Sequence, residues 1–397
     1  MPLLPHVPAW AVAAVMLLTG SLNTLSKKAM FETCAPSIRG HTRGDCPSGE
    51  EPFNKPWTQN LAMFLGESML LLLVLYKNRR RQRHQVSEPN SRPSPPPVYY
   101  FAPPAALDLL GTGFSGIGMN FISASVWQMM RGSIVVFTAI LSVFFLGRSM
   151  RRSKVFAVSC TVLGLTLVGT SSVLDTRASS SSGGWGSIIG ISFTILGQLC
   201  GAAQMITEER LLKARRCPSS LVVGMEGLWG IGSMLVVLTV MSWIPGGDNG
   251  SYENSRDSLY KLEHSKAVFT LMLTYFLSIS VFNLCGMTVS RRLSSVHRTM
   301  LDSLRTMLVW IAQLSAYYIG GSSRYGTPWT PHSWLQFAGF VVCIFGTLMY
   351  NDVISLPFGD VRTDEASVAL IEDDDDESSS MPSVETADSG DTEMNNY

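Results

Sequence analysis

Six ionisable side chains stand inside stretches of sequence that are otherwise apolar: Glu67, Asp108, Arg131, Glu226, Asp302 and Arg305. Asn120 and Gln128 add uncharged hydrogen-bonding groups at comparable positions, as do Asn23, Gln198, Gln204, Asn283 and Gln313. A charge surrounded by hydrocarbon is costly unless paired or reached by water, so such residues mark the handling of a solute, an ion or a proton by default. Gln128 and Arg131 are three positions apart, as are Asp302 and Arg305, which puts each pair on one helical face. The competing reading is ion pairing, Asp302 with Arg305 or Glu67 with Arg131, that only fastens helices together. Four acids against two arginines leave the set formally acidic, which suits a cationic solute or proton coupling through a carboxylate. An anionic solute would need arginines without partners.

Catalysis finds fewer of its parts. Gly113-Phe114-Ser115-Gly116 spells the GxSG of an intramembrane serine protease, a chemistry that also needs a histidine at bilayer depth as base. The histidines, His6, His41, His84, His264, His297 and His332, all fall in polar loops or at the ends of apolar blocks. HExxH, P-loop and paired-aspartate signatures are missing, as is any Cys/His spacing suited to a metal. The expectation is a non-enzyme without metal or cofactor.

The elements that must position these residues are apolar blocks of roughly twenty residues, the length a helix needs to cross a bilayer. Ten can be drawn: Pro8 to Ser26, Trp57 to Tyr76, Tyr99 to Ile122, Ala124 to Leu146, Val155 to Val173, Gly184 to Ile206, Ser219 to Ile244, Ala267 to Val289, His297 to Ile319 and Ser333 to Val353. The third and fourth run together and require a tight hairpin. Only 15% of the 397 residues are charged, against about a quarter in soluble domains, so an all-α membrane protein is expected. Leu3 to Leu18 also resembles the apolar core of a signal peptide, although no Lys or Arg precedes it.

Zero net charge conceals two compartments: thirteen acids and one base lie between Asp360 and Tyr397, leaving about +12 on the remainder. With the N-terminus placed in the cytosol, seventeen Lys and Arg fall in cytosolic loops and ten in the opposite ones, Lys27, Lys28 and Arg298 being counted as loop residues. These bases are distributed as membrane topology demands, and not as a nucleic-acid-binding face. Both termini are then cytosolic. The sequon Asn249-Gly250-Ser251 faces the lumen as a glycosylation candidate, and Cys34 and Cys46 share a lumenal loop where they either pair or remain free thiols.

Leu141 to Gly147 (LSVFFLG) is echoed by Leu314 to Gly320 (LSAYYIG), 173 positions later. Gly118-Met119-Asn120 matches Gly286-Met287-Thr288 at a spacing of 168, and Arg131 matches Arg305 at 174. Near-constant spacing suggests two halves of five spans, residues 1–175 and 176–355, and an odd number of spans turns the halves over relative to one another. Residues 356–397 are expected to be a disordered acidic tail.

Several runs carry a family resemblance: Thr19 to Leu25 (TGSLNTL), Phe64 to Glu67 (FLGE), Pro103 to Thr112 (PPAALDLLGT), Ser123 to Gly132 (SASVWQMMRG), Phe145 to Arg148 (FLGR), Glu226 to Gly230 (EGLWG) and Leu301 to Arg305 (LDSLR). The chain resembles the solute carrier 35 family, F subfamily, within the drug/metabolite transporter superfamily that also holds nucleotide-sugar carriers. This resemblance implies a ten-helix inverted-repeat fold, a central cavity and residence in an endomembrane, most often lysosomal. The expected function is secondary transport of a small polar solute by alternating access, with a site built from Glu67, Asp108, Asn120, Gln128, Arg131, Glu226, Asp302 and Arg305. Coupling to protons or to a counter-substrate belongs to that expectation. The alternative is a membrane scaffold that recruits partners through its cytosolic loops and tail.

Overall fold

Backbone amides without water to bond must bond to one another, so apolar stretches of this length coil into helices. The computed structural model describes residues 7–38, 40, 46–82, 97–119, 121, 130–176, 185–215, 217–246, 248, 250–320, 326 and 328–354. Within them run α1 (Ala9–Glu32), β1 (Cys34–Pro36), β2 (Glu50–Pro52), α2 (Pro56–Gln82), a short 3-10 turn (Val98–Phe101), α3 (Ala102–Met119) and α4 (Ile134–Leu146). There follow α5 (Arg152–Thr176), α6 (Trp185–Ala214), α7 (Ser219–Trp243), α8 (Ser255–His264), α9 (Lys266–Arg292), α10 (Ser295–Tyr318) and α11 (Ser333–Tyr350).

Boundaries differ from the sequence expectation where polar residues ride on helices. The first helix continues to Glu32, so Lys27 and Lys28 are helical and not in a loop. Helix α2 carries its basic residues on a helical extension to Gln82, and α6 does the same to Ala214. Arg298 lies in the first turn of α10 and is buried. The hairpin expected between the third and fourth blocks falls largely outside the described residues. Two small elements escaped the apolar pattern because they are polar: the antiparallel pair β1–β2 and the amphipathic α8.

Among the described residues six helices, α1, α5, α6, α7, α9 and α11, are long and apolar enough to cross a membrane, and α4 is a shorter apolar helix. Their surfaces agree with a lipid surround. Phe144 is 80% exposed and Trp243 82%, while Glu208, Glu209 and Gln59 are wholly buried. Apolar outside and polar inside is the arrangement hydrocarbon imposes. The chain is a multi-pass helical membrane protein.

Helices pair strongly as α1 with α9, α2 with α7, α3 with α6 and α5 with α11. Lipid gives no hydrophobic drive for association, so close backbone approach through small residues supplies the contact. At the α5–α11 crossing a Cβ on Gly164 would lie 2.6 Å from the Gly339 carbonyl, and one on Gly339 would lie 2.7 Å from the Gly164 carbonyl. Gly224, Gly227 and Gly230, spaced three apart on α7, meet Leu71, Glu67 with Ser68, and Phe64 of α2 in the same way.

One end of the bundle carries a polar cap. Cys34 and Cys46 are disulfide-bonded, closing the loop between β1 and β2. Lys55 pairs with Asp248 and with Asp257 (2.9 Å), and Lys261 pairs with Asp257 (2.8 Å) and Glu51 (3.1 Å). Both lysines are almost wholly buried, so each ammonium depends on these carboxylates. Burial acts to raise the Asp257 carboxyl, but hydrogen bonds from Lys261 and Lys55 outweigh it and hold the group below its ordinary range. Glu253 reaches across to the open N-terminus of α2, accepting from the Trp57 and Thr58 amides and the Thr58 hydroxyl. Burial nevertheless pushes the Glu253 carboxyl upward.

Candidate functional site

Glu67 sits where α2 crosses α7, and its backbone geometry follows from the glycine opposite it. A Cβ on Gly227 would come within 2.8 Å of the Glu67 Cβ. Glu67 is 4% exposed and accepts a hydrogen bond from the Asn283 amide of α9. Glu226, adjacent to Gly227 on α7, is 5% exposed, and its Oε1 has no hydrogen-bond partner. Asp108 on α3 completes the group: Glu67 and Glu226 both feel its charge, and Glu226 feels that of Glu67. Three carboxylates from three helices therefore share one region of the interior.

Two further charged clusters adjoin this one. On one side Glu208 of α6 accepts from Arg298 of α10 at 2.6 Å, both side chains being buried. Its neighbour Glu209 holds Arg148 at 2.6 Å, Lys213 at 3.1 Å and the Ser295 amide at 2.8 Å. On the other side Lys27 of α1 lies within electrostatic reach of Asp108, of Arg131 and of Glu253 in the cap. Arg131, just before α4, feels the charges of Arg305 and Asp302 on α10. Arg305 in turn donates to Asp302 at 3.1 Å and lies over the Phe282 ring, 5.2 Å from its centre.

Lys27, Asp108, Arg131 and Asp302 are each half-buried although they sit among packed helices. Charged groups placed among membrane helices face the bundle interior or a water-filled cavity by default. The array runs from Glu253 of the cap, through Lys27 and Asp108, to Glu208 and Arg298.

Of the eight residues expected to form the site, the structure brings Glu67, Asp108 and Glu226 together, and joins Arg131 to Asp302 and Arg305. The two matched arginines of the sequence repeat are electrostatic neighbours. Asn120 and Gln128 lie outside the described residues, as does the sequon residue Asn249. The ion pair considered between Asp302 and Arg305 is formed, whereas Glu67 takes Asn283 as its hydrogen-bond donor. Sequence reasoning missed Lys27 and Arg298, which it placed in loops, and passed over Glu208. A signal existed for the latter: Glu208-Glu209 follows an apolar run with Arg210 and Lys213 close behind, too polar for a span end unless something pairs with it. With Glu208, Lys27 and Arg298 included, five acids stand against four bases, and the acidic excess falls from two to one.

Ser115 of the GxSG run receives the Gln198 amide at 3.3 Å and abuts Gly197, so it belongs to the α3–α6 contact. His297 bonds with Ser294 at 2.6 Å and packs edge-on to Tyr350. Glu51, Asp248 and Asp257 have metal-like spacing, their oxygens lying within 4.8 Å of one another. Lys55 and Lys261 already supply the positive charge there.

Residues 53–170 match the EamA-like transporter family. Solute carrier family 35 member F6 of Homo sapiens is 32% identical over 345 residues, covering 86% of this chain and 88% of the relative, and the Pongo abelii protein matches equally. An uncharacterized protein of Schizosaccharomyces pombe is 30% identical over 262 residues, 65% of this chain and 76% of its own length. One solved crystal structure superposes with a TM-score of 0.55 at 12% identity, covering 87% of this chain and 96% of the other, a likeness of fold alone. With an identity of this extent running through the helices that build the charged interior, the chain belongs to solute carrier family 35.

Proposed function

We propose that the protein is a secondary transporter that carries a small polar solute by alternating access, using the charged interior as its route. The observation that carries this reading is the set of buried and half-buried charged side chains inside the bundle, each within electrostatic reach of the next from Glu253 of the cap through Lys27 and Asp108 to the Glu208–Arg298 pair. The EamA-like and solute carrier relatives support it. Ten spans, α1 to α5 and then α6, α7, α9, α10 and α11, form two inverted halves, residues 1–175 and 176–355, in this proposal. Helix pairing favours that division. Exchanging the halves maps α1–α9 onto α6–α3, α1–α10 onto α6–α4 and α2–α9 onto α7–α3, while α2–α7, α4–α10 and α5–α11 map onto themselves. Two such halves can rock about a shared site.

Both termini and the acidic tail, residues 356–397, lie in the cytosol in this scheme, and the cap faces the lumen of an endomembrane compartment, the lysosome in this proposal. A disulfide at Cys34 and Cys46 suits an oxidising lumen, and Asn249 is the glycosylation candidate on that side. The test is uptake by proteoliposomes from a fractionated metabolite mixture, read by mass spectrometry. Arg131→Ala is expected to reduce uptake of the enriched solute at least about tenfold, the cost of losing one charge-assisted contact, with the protein still folded. Normal transport by both Arg131→Ala and Arg305→Ala would remove these residues from the route.

A further inference from the structure

Helix α7 presents two unlike faces. One, through Gly224, Gly227 and Gly230, packs on α2. On the other, Leu228, Trp229, Gly232, Ser233 and Val236 form with Val98 of the 3-10 turn a groove of about 370 Å³. It opens outward, since Val98, Leu228 and Val236 are all exposed. A Cβ on Gly232 would meet nothing within 4 Å, so this glycine deepens the groove without serving any helix contact. The polar groups of the lining are already satisfied: the Trp229 indole donates to the Val98 carbonyl at 3.1 Å, and the Ser233 hydroxyl to the Trp229 carbonyl at 2.9 Å. What remains facing outward is apolar, and suits an aliphatic chain.

Depth and charge decide what kind of molecule carries that chain. Trp243, at the far end of α7, is 82% exposed, as an interfacial aromatic anchor would be. Counting back about 30 Å at roughly 1.5 Å per residue puts the opposite membrane boundary near Val223, so most of the groove lies in the leaflet on the side of the α6–α7 connection. Tyr100, two residues on from Val98, packs on the cluster that contains Val222 and Val223, at that boundary. The Arg215 guanidinium lies over the Tyr100 ring, 3.8 Å from its centre. Stacking covers the face of the guanidinium and leaves its N–H edge for an oxyanion. Arg215 is exposed and belongs to none of the ion pairs among the described residues. A cation without a carboxylate, at the membrane boundary beside an apolar slot, complements a phosphate ester that bears an acyl chain.

We propose that α7 and the 3-10 turn hold one anionic phospholipid of the membrane, its acyl chain in the groove and its phosphate on Arg215. The site requires only that the chain lie in a bilayer, and it is independent of transport. The test is native mass spectrometry of the purified full-length protein in detergent micelles doped equally with dioleoyl phosphatidylglycerol, dioleoyl phosphatidylcholine and cholesterol. Phosphatidylglycerol is expected to stay bound with about tenfold preference over phosphatidylcholine, whose own ammonium competes for the phosphate; tenfold is the effect of one hydrogen bond to a charged group. Gly232→Leu, which fills the groove, should cut phosphatidylglycerol occupancy about tenfold, and Arg215→Gln should abolish the preference. If Gly232→Leu does not fold, the surface variant Arg215→Gln decides. Retention of neither phospholipid, equal retention of both by the wild type, cholesterol bound in their place, or undiminished phosphatidylglycerol binding in either folded variant overturns the proposal.

Discussion

Glu208→Ala should destabilise the protein by about 3–5 kcal/mol, the usual consequence of leaving one member of a buried ion pair alone. Arg298 has nowhere to go. Its guanidinium bonds Glu208 at 2.6 Å, its Nε has no hydrogen-bond partner, and Gly286 of α9 packs so closely that an added Cβ would lie 2.7 Å from that nitrogen. Removing the carboxylate therefore leaves a buried guanidinium without its ion-pair partner. Thermal unfolding of the purified variant reads the loss. The double variant Glu208→Met with Arg298→Met should recover most of it, because two thioether side chains remove the charge and keep the volume. Wild-type stability in the single variant would mean that the pair carries no weight in the fold.

Helix positions were legible in the sequence because apolar length fixes what can span lipid. Arg131 and Arg305, matched in the sequence at a spacing of 174, lie within electrostatic reach of one another. Side-chain partners were not legible. Glu67 has no basic residue at helical spacing to suggest a partner, and Asn283, more than two hundred positions away, becomes its donor only when α2 packs on α9. Lys27 and Arg298 were read as loop residues because charges mark span ends in a hydropathy pattern. A helix can run past its apolar part when other helices, and not lipid, surround the continuation. The cap was invisible for a related reason: Lys55, Asp248, Asp257 and Lys261 look like ordinary loop charges until two loops are laid together.

Gly227→Leu should prevent α2 and α7 from closing, with a loss larger than the roughly 1–3 kcal/mol typical of overpacking in cores. A Cβ there would lie 2.5 Å from the Ser68 amide nitrogen and 2.8 Å from the Phe64 carbonyl oxygen. Both are backbone atoms, which no rotamer change can move aside. Gly232→Leu on the same helix is the control, since a Cβ at that position meets nothing within 4 Å. Thermal unfolding should show a large drop for Gly227→Leu and almost none for Gly232→Leu. Equal stability of the two would deny that the α2–α7 seam depends on backbone contact, and with it the placement of Glu67 against Glu226.

Transport by this route requires that water reach the charged interior from each side of the membrane in turn. Thr112 stands one turn beyond Asp108 on α3, its hydroxyl bonding the Asp108 carbonyl at 2.8 Å, so it shares that lining face. Thr112→Cys, in a chain whose five free cysteines are replaced by alanine and whose Cys34–Cys46 bridge is kept, can be labelled in sealed vesicles of either orientation with a membrane-impermeant thiol reagent. Labelling from both sides is the predicted result; a thiol reached from neither side would contradict the account.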